Sequence, residues 1–157
     1  AYENGEDREA RRNMMIASTI GGMAFISSNV GAVHAFAETV GAWFDTPHGV
    51  ANSLFLPYIM EFNIPACPER FADIADAMGI EREESMSDEQ YALKAVEYVK
   101  ALNRKLNIPT IKEIKGITEE RFEAIAERSA NNVLSNDNAR KITKEDYLEL
   151  LKKAYNE

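Results

Sequence analysis

The sequence predicts an all-α protein, a helical bundle, on three observations. Apolar residues recur at three- and four-residue spacing through most of the chain, capping residues precede several of these segments, and no window sustains the period-two alternation of a half-buried strand. The first helix is expected over residues 6–25, where Ala10, Met14, Ala17, Ile20, Gly21 and Ala24 recur at helical spacing opposite Arg8, Arg11 and Arg12. Ser27, Ser28 and Asn29 interrupt it, being better at capping helices than at continuing them. A second apolar stretch runs over residues 30–44 and is broken by Asp45, Thr46 and Pro47; the proline suits the first turn of a third helix reaching about Phe62, with Pro57 bending it or ending it early. These three segments hold almost all the small and apolar residues. They are therefore expected to form the buried centre, with the first helix nearly all buried toward its end.

The rest of the chain is more charged. Phe71, Ile74, Ala75 and Met78 mark a helix over residues 68–78 that Gly79 stops. Ser87, Asp88, Glu89 and Gln90 form a capping box that opens a helix through Leu93, Val96, Val99 and Leu102. Thr118 is expected to cap a helix whose Phe122, Ile125 and Ala126 face inward, and Thr143 to cap the last, which contains Tyr147, Leu150, Leu151 and Ala154. With no repeat, low-complexity tract or linker, residues 1–157 are expected to form one all-helical domain.

Composition narrows the function classes. A formal net charge of -8 disfavours a nucleic-acid backbone or an anionic membrane surface as partner, because both would repel the chain. Cys67 is the only cysteine, so no internal disulfide can form, and neither a signal-peptide pattern nor an apolar run of about 18 residues is present. A cytoplasmic location is expected. The first residues, from Ala1 to Gly5, lack an initiator methionine and run straight into a helical pattern, so the chain reads as cut from something longer.

Both histidines fall in the most apolar region, His34 on the second predicted helix and His48 at the start of the third, joined by the turn at Asp45 to Pro47. Neutral imidazole suits iron or zinc, so a pair held on rigid elements would be half a metal site. Spacing alone leaves two readings open. Each histidine reads as well as a core residue bonded to backbone, since tight metal sites use three or four protein ligands. On that second reading the chain is a non-catalytic helical bundle for protein interaction.

Other features have plain readings. Met14, Met15, Met23 and Met60 read as core fillers, Cys67 as a structural thiol without a histidine partner, and Trp43 and Phe44 as core packing. Glu81, Glu83 and Glu84 are a solvated charge run without calcium-loop spacing, and Gly21-Gly22 lacks the preceding strand of a phosphate loop.

The residues around the histidines say more. The run Gly31-x-x-His34-Ala35-x-Ala37-x-x-x-Gly41, then Pro47-His48-Gly49-x-x-Asn52-x-x-x-Leu56-Pro57 and Asn63, resembles the signature of the iron-containing alcohol dehydrogenase family. The upstream run Glu9-Ala10-Arg11-Arg12-x-Met14-x-x-Ala17-Ser18, with Gly22-x-Ala24-Phe25, is similar to the segment that precedes it there. The resemblance covers residues 7–63, and the helical tail is compatible with it. It implies the helical C-terminal metal-binding domain of a two-domain dehydrogenase, the nucleotide-binding half being absent from this chain. It further implies Fe(2+), sometimes replaced by Zn(2+), held by one aspartate and three histidines, and NAD or NADP as hydride carrier for a small alcohol or aldehyde substrate. His34 and His48 fall on two of the histidine ligands. The remaining two ligands lie upstream of the family segment that begins here, so the chain alone is expected to be inactive, and the full-length enzyme to be a homo-oligomer. One position departs: where most members carry a further histidine near the nicotinamide, this chain has Glu38, one helical turn from His34. Glu38 is thus a candidate proton relay or hydrogen-bonding partner for cofactor or substrate, and equally a satisfied polar neighbour.

Overall fold

The computed structural model describes all of residues 1–157, and it is helical throughout, without a strand. Its contacts divide it into two units, residues 1–30 and residues 31–157.

The first unit is built on one helix, α1 (Arg8–Ser28), which starts where Asp7 accepts a hydrogen bond from the Ala10 amide at 3.0 Å. Met14, Met15 and Ile16 alone sweep about 200° of its circumference at 3.6 residues per turn, and Ile20, Met23, Phe25 and Ile26 extend the apolar surface. No residue of α1 is buried, and these seven are 50% to 80% exposed. The expectation that α1 is buried toward its end is thus overturned, as is the reading of Met14, Met15 and Met23 as core fillers. The physical reason lies in its pattern. A helix apolar on every side needs cover on every side, whereas an amphipathic helix needs only one neighbour.

The second unit makes its own core. It opens with α2 (Ala32–Phe44) and α3 (His48–Asn63), joined by a short turn in which Asp45 adopts the left-handed conformation at φ 50°. Pro57 lies inside α3 and does not end it, so of the two alternatives at this residue early termination is excluded and the helix runs its expected length. A proline at this position has no N–H to give the Ser53 carbonyl. The side chain of Asn103 supplies the missing donor to that carbonyl at 2.6 Å, so the helix continues to Asn63.

Next come α4 (Pro68–Ala77), α5 (Asp88–Lys105), α6 (Phe122–Ala130) and α7 (Lys144–Asn156). The capping box expected at Ser87 and the cap expected at Thr143 both form, each with reciprocal bonds, to Gln90 and to Asp146. Thr118 differs. A 3-10 turn over Glu119–Arg121 intervenes before α6, and the threonine hydroxyl bonds Glu120 instead of a helix amide.

Two apolar clusters hold this unit together. The larger joins α2, α3, α6 and α7 around Phe36, which stacks on Phe55 at 4.3 Å and meets the edge of Tyr147 at 4.6 Å. The smaller fills the space between α4 and α5, with Met60 and Ile64 closing it from α3 and the following turn. Polar groups inside the larger cluster are satisfied in series: Ser129 donates to Thr39 at 3.2 Å, and Ser135 donates to the Ser129 carbonyl and bonds the Tyr147 hydroxyl, both at 2.7 Å. Trp43 is 44% exposed and does not belong to this core, whereas Phe44 packs against it.

Candidate metal and active site

The fold brings the two histidines together. His34 lies in the first turn of α2, and His48 is the first residue of α3. Their ring centroids are 5.3 Å apart and their planes inclined by 50°. The turn folds closely over α2 at Gly41: a Cβ there would stand 3.2 Å from the Thr46 carbonyl, a tight contact that the bare Cα avoids.

Electrostatics at His34 favour a lone-pair donor. Burial, and then the neighbouring His48, push the His34 imidazole below its ordinary pKa, against a smaller opposite pull from Glu38. His34 is therefore neutral at neutral pH, the form that ligates a metal. Asn52, one turn beyond His48, donates to the His48 carbonyl at 2.9 Å, and the same amide nitrogen lies 3.1 Å from His48 Nε2. Its Oδ1 is buried without a partner. Asn52 thus orients the His48 ring while leaving one polar atom beside it unsatisfied.

No group of three or more histidine, cysteine, aspartate or glutamate side chains is assembled to hold a metal ion. The donor set fits iron or zinc as far as it goes, two imidazoles on rigid helix starts, and a closed site needs further ligands from outside this chain.

Glu38 is exposed on α2, one turn from His34. Its Oε2 accepts from Asn132 Nδ2 at 2.7 Å, and the orientation of that amide is set because Asn132 Oδ1 accepts from the Leu134 amide at 3.0 Å. Asn132 is one residue that sequence reasoning did not find; it stands 94 positions from Glu38, and no local spacing connects them. Cys67 is half-buried and its thiol points to the Asn63 carbonyl at 3.9 Å, with burial pushing its pKa up, as for an inert thiol. The cavity between Tyr58, Lys100, Arg104 and Ile111 lies elsewhere and includes neither histidine.

The strand-free helical fold is that of one domain of a dehydrogenase family. Residues 1–155 match the C-terminal domain of the Fe-containing alcohol dehydrogenase family, to which this chain belongs. It is 38% identical over 149 residues to lactaldehyde reductase of Escherichia coli (strain K12), covering 95% of this chain and 39% of that protein. It is 36% identical to 1,3-propanediol dehydrogenase of Citrobacter freundii, over 96% of this chain and 39% of the relative. Among solved structures, alcohol dehydrogenase from Oenococcus oeni superposes with a TM-score of 0.91 at 40% identity, covering 97% of this chain and 39% of that one. The chain therefore spans about two fifths of the length of these relatives, all of which are named as oxidoreductases of alcohols, diols or aldehydes.

Proposed function

We propose that this chain is the metal-ligand part of a longer NAD(P)-linked, iron-dependent alcohol dehydrogenase, which interconverts a small primary alcohol and its aldehyde. The observation that carries the reading is the 5.3 Å approach of His34 and His48 at the starts of two packed helices within a family-matching segment. A bound iron or zinc ion would act there as a Lewis acid on the alcohol oxygen, favouring alkoxide for hydride transfer to the nicotinamide. The work of this chain is to hold the two imidazoles at fixed spacing, His34 in its neutral form, and to place Glu38 one turn away. Glu38 accepts or relays a proton, or hydrogen-bonds cofactor or substrate, from a position fixed by Asn132.

The unburied apolar circumference of α1 supports the same reading, since it requires cover that the remaining part of a longer polypeptide supplies. Homo-oligomeric assembly and a cytoplasmic setting go with this proposal. The test compares two purified proteins. The full-length enzyme, loaded with Fe(2+), reduces NAD(P) with short primary alcohols, and residues 1–157 alone show no such activity. Robust oxidation by the 157-residue chain alone would overturn the division of labour.

A further inference from the structure

The N-terminus of α2 is capped from a distance. Its N-cap residue is Gly31, which has no side chain to serve the first free amides. Asn138, 106 positions beyond Ala32, fills this role: its Oδ1 accepts from the Ala32 amide at 3.3 Å. The same side chain forms a reciprocal amide pair with Asn63, accepting from its Nδ2 at 3.1 Å and donating to its Oδ1 at 2.7 Å, and donates again to the Arg140 carbonyl at 2.7 Å. All the hydrogen-bonding capacity of this amide is in use, so neither its position nor its flip is free. Arg140 strengthens the hold on α3 by donating to the Phe62 carbonyl at 3.0 Å and lying 4.2 Å over the Phe62 ring.

The two ends gripped in this way belong to the two histidine helices. Ala32 is two residues before His34, and Asn63 closes the helix that His48 opens. Gly31 makes the approach possible, because a Cβ there would meet Asn138 Oδ1 at 3.0 Å and its Cα at 3.2 Å. We propose that Asn138 is a positioning residue for the metal site: by capping α2 and gripping the far end of α3, it sets the registry of the two helices and so the spacing of His34 and His48. This inference rests on the metal reading above. Helices are stiff rods, and a shift at the capped end is carried to every side chain along them. Groups that orient ligands without touching the metal typically account for about ten- to a hundredfold in metal affinity.

The experiment uses the full-length protein with Co(2+) as probe, its affinity read from the d–d absorption band, and the melting temperature measured on metal-free samples. Asn138→Ala removes the amide; Gly31→Ala keeps the amide and pushes it away. Val96→Ala, in the separate cluster between α4 and α5, serves as a control that lowers stability without touching the clasp. Both clasp variants are expected to raise the Co(2+) Kd about tenfold or more, while Val96→Ala lowers the melting temperature and leaves the Kd unchanged. Wild-type binding with unchanged Kd in both clasp variants would overturn the inference alone, and so would a control that weakens Co(2+) as much as they do. A wild-type protein that binds no Co(2+) through His34 and His48 would overturn the metal reading itself.

Discussion

Helix α1 and the pair α2–α3 are similar in sequence character and opposite in circumstance. Both regions are rich in alanine, glycine and large apolar residues, yet Phe36, Val40, Phe55 and Ile59 are at most 1% exposed while every large apolar side chain of α1 is at least half exposed. The difference teaches that apolar content reports a need for cover without saying where the cover comes from. In α2 and α3 it comes from α6 and α7, which the same chain supplies.

Matched truncations break the comparison if it is wrong. In the 157-residue chain, Phe55→Ala should cost about 3–5 kcal/mol, because it empties the stack on Phe36. Ile20→Ala should change stability by no more than about 0.5 kcal/mol there, as an exposed substitution does. Joined to the rest of the enzyme, the Ile20 variant should cost about 2–5 kcal/mol. Urea denaturation of the three variants and their two wild types measures this, and an Ile20 effect that is the same in both settings would show that α1 is not covered.

A smaller effect tests the polar interior of the second unit. Burial pushes the Tyr147 hydroxyl up to about 12, from an ordinary value of 10.0. The folded state thus holds its proton at pH values where the unfolded chain releases it. Stability from this group is full below pH 10 and falls as pH rises through about 12. Tyr147→Phe should cost about 1 kcal/mol at neutral pH through loss of the bond to Ser135. It should also flatten the alkaline decline, leaving the parts due to Tyr58, raised to about 12 as well by burial first and by Glu157, and to Tyr91, raised by burial first and by Asp76. An alkaline limit identical to wild type would remove Tyr147 from that balance.

The smallest effect on stability falls on Glu38. Glutamine is nearly isosteric and still accepts from Asn132, so Glu38→Gln in the full-length enzyme should keep its metal and its melting temperature. The pH dependence of turnover should shift or flatten, as loss of a titrating group requires. An unchanged profile at full activity would leave Glu38 a bonded neighbour of the site and nothing more.

Much of this architecture is legible in the sequence because its causes are local. The capping boxes at Ser87 and Thr143 are read three residues at a time, and the periodic faces of α4, α5 and α7 over one or two turns. What could not be read depends on distant groups. Pro57 stays in a helix because Asn103 serves the stranded carbonyl, and Glu38 is held by Asn132. The cap on α2 comes from Asn138, which forms no motif with Gly31 along the chain. For the site, the motif placed both histidines on helices, and only the folded chain shows that their rings meet.

The two rings of His34 and His48 are the centre of the proposed site. Iron per subunit, measured by atomic absorption on the full-length protein, tests it most directly in the wild type, His34→Ala and His48→Ala. The account predicts close to one iron per wild-type subunit and a large loss in each variant, with helical content by circular dichroism unchanged, since each substitution removes a ligand and little packing. Full iron occupancy in both variants would contradict it.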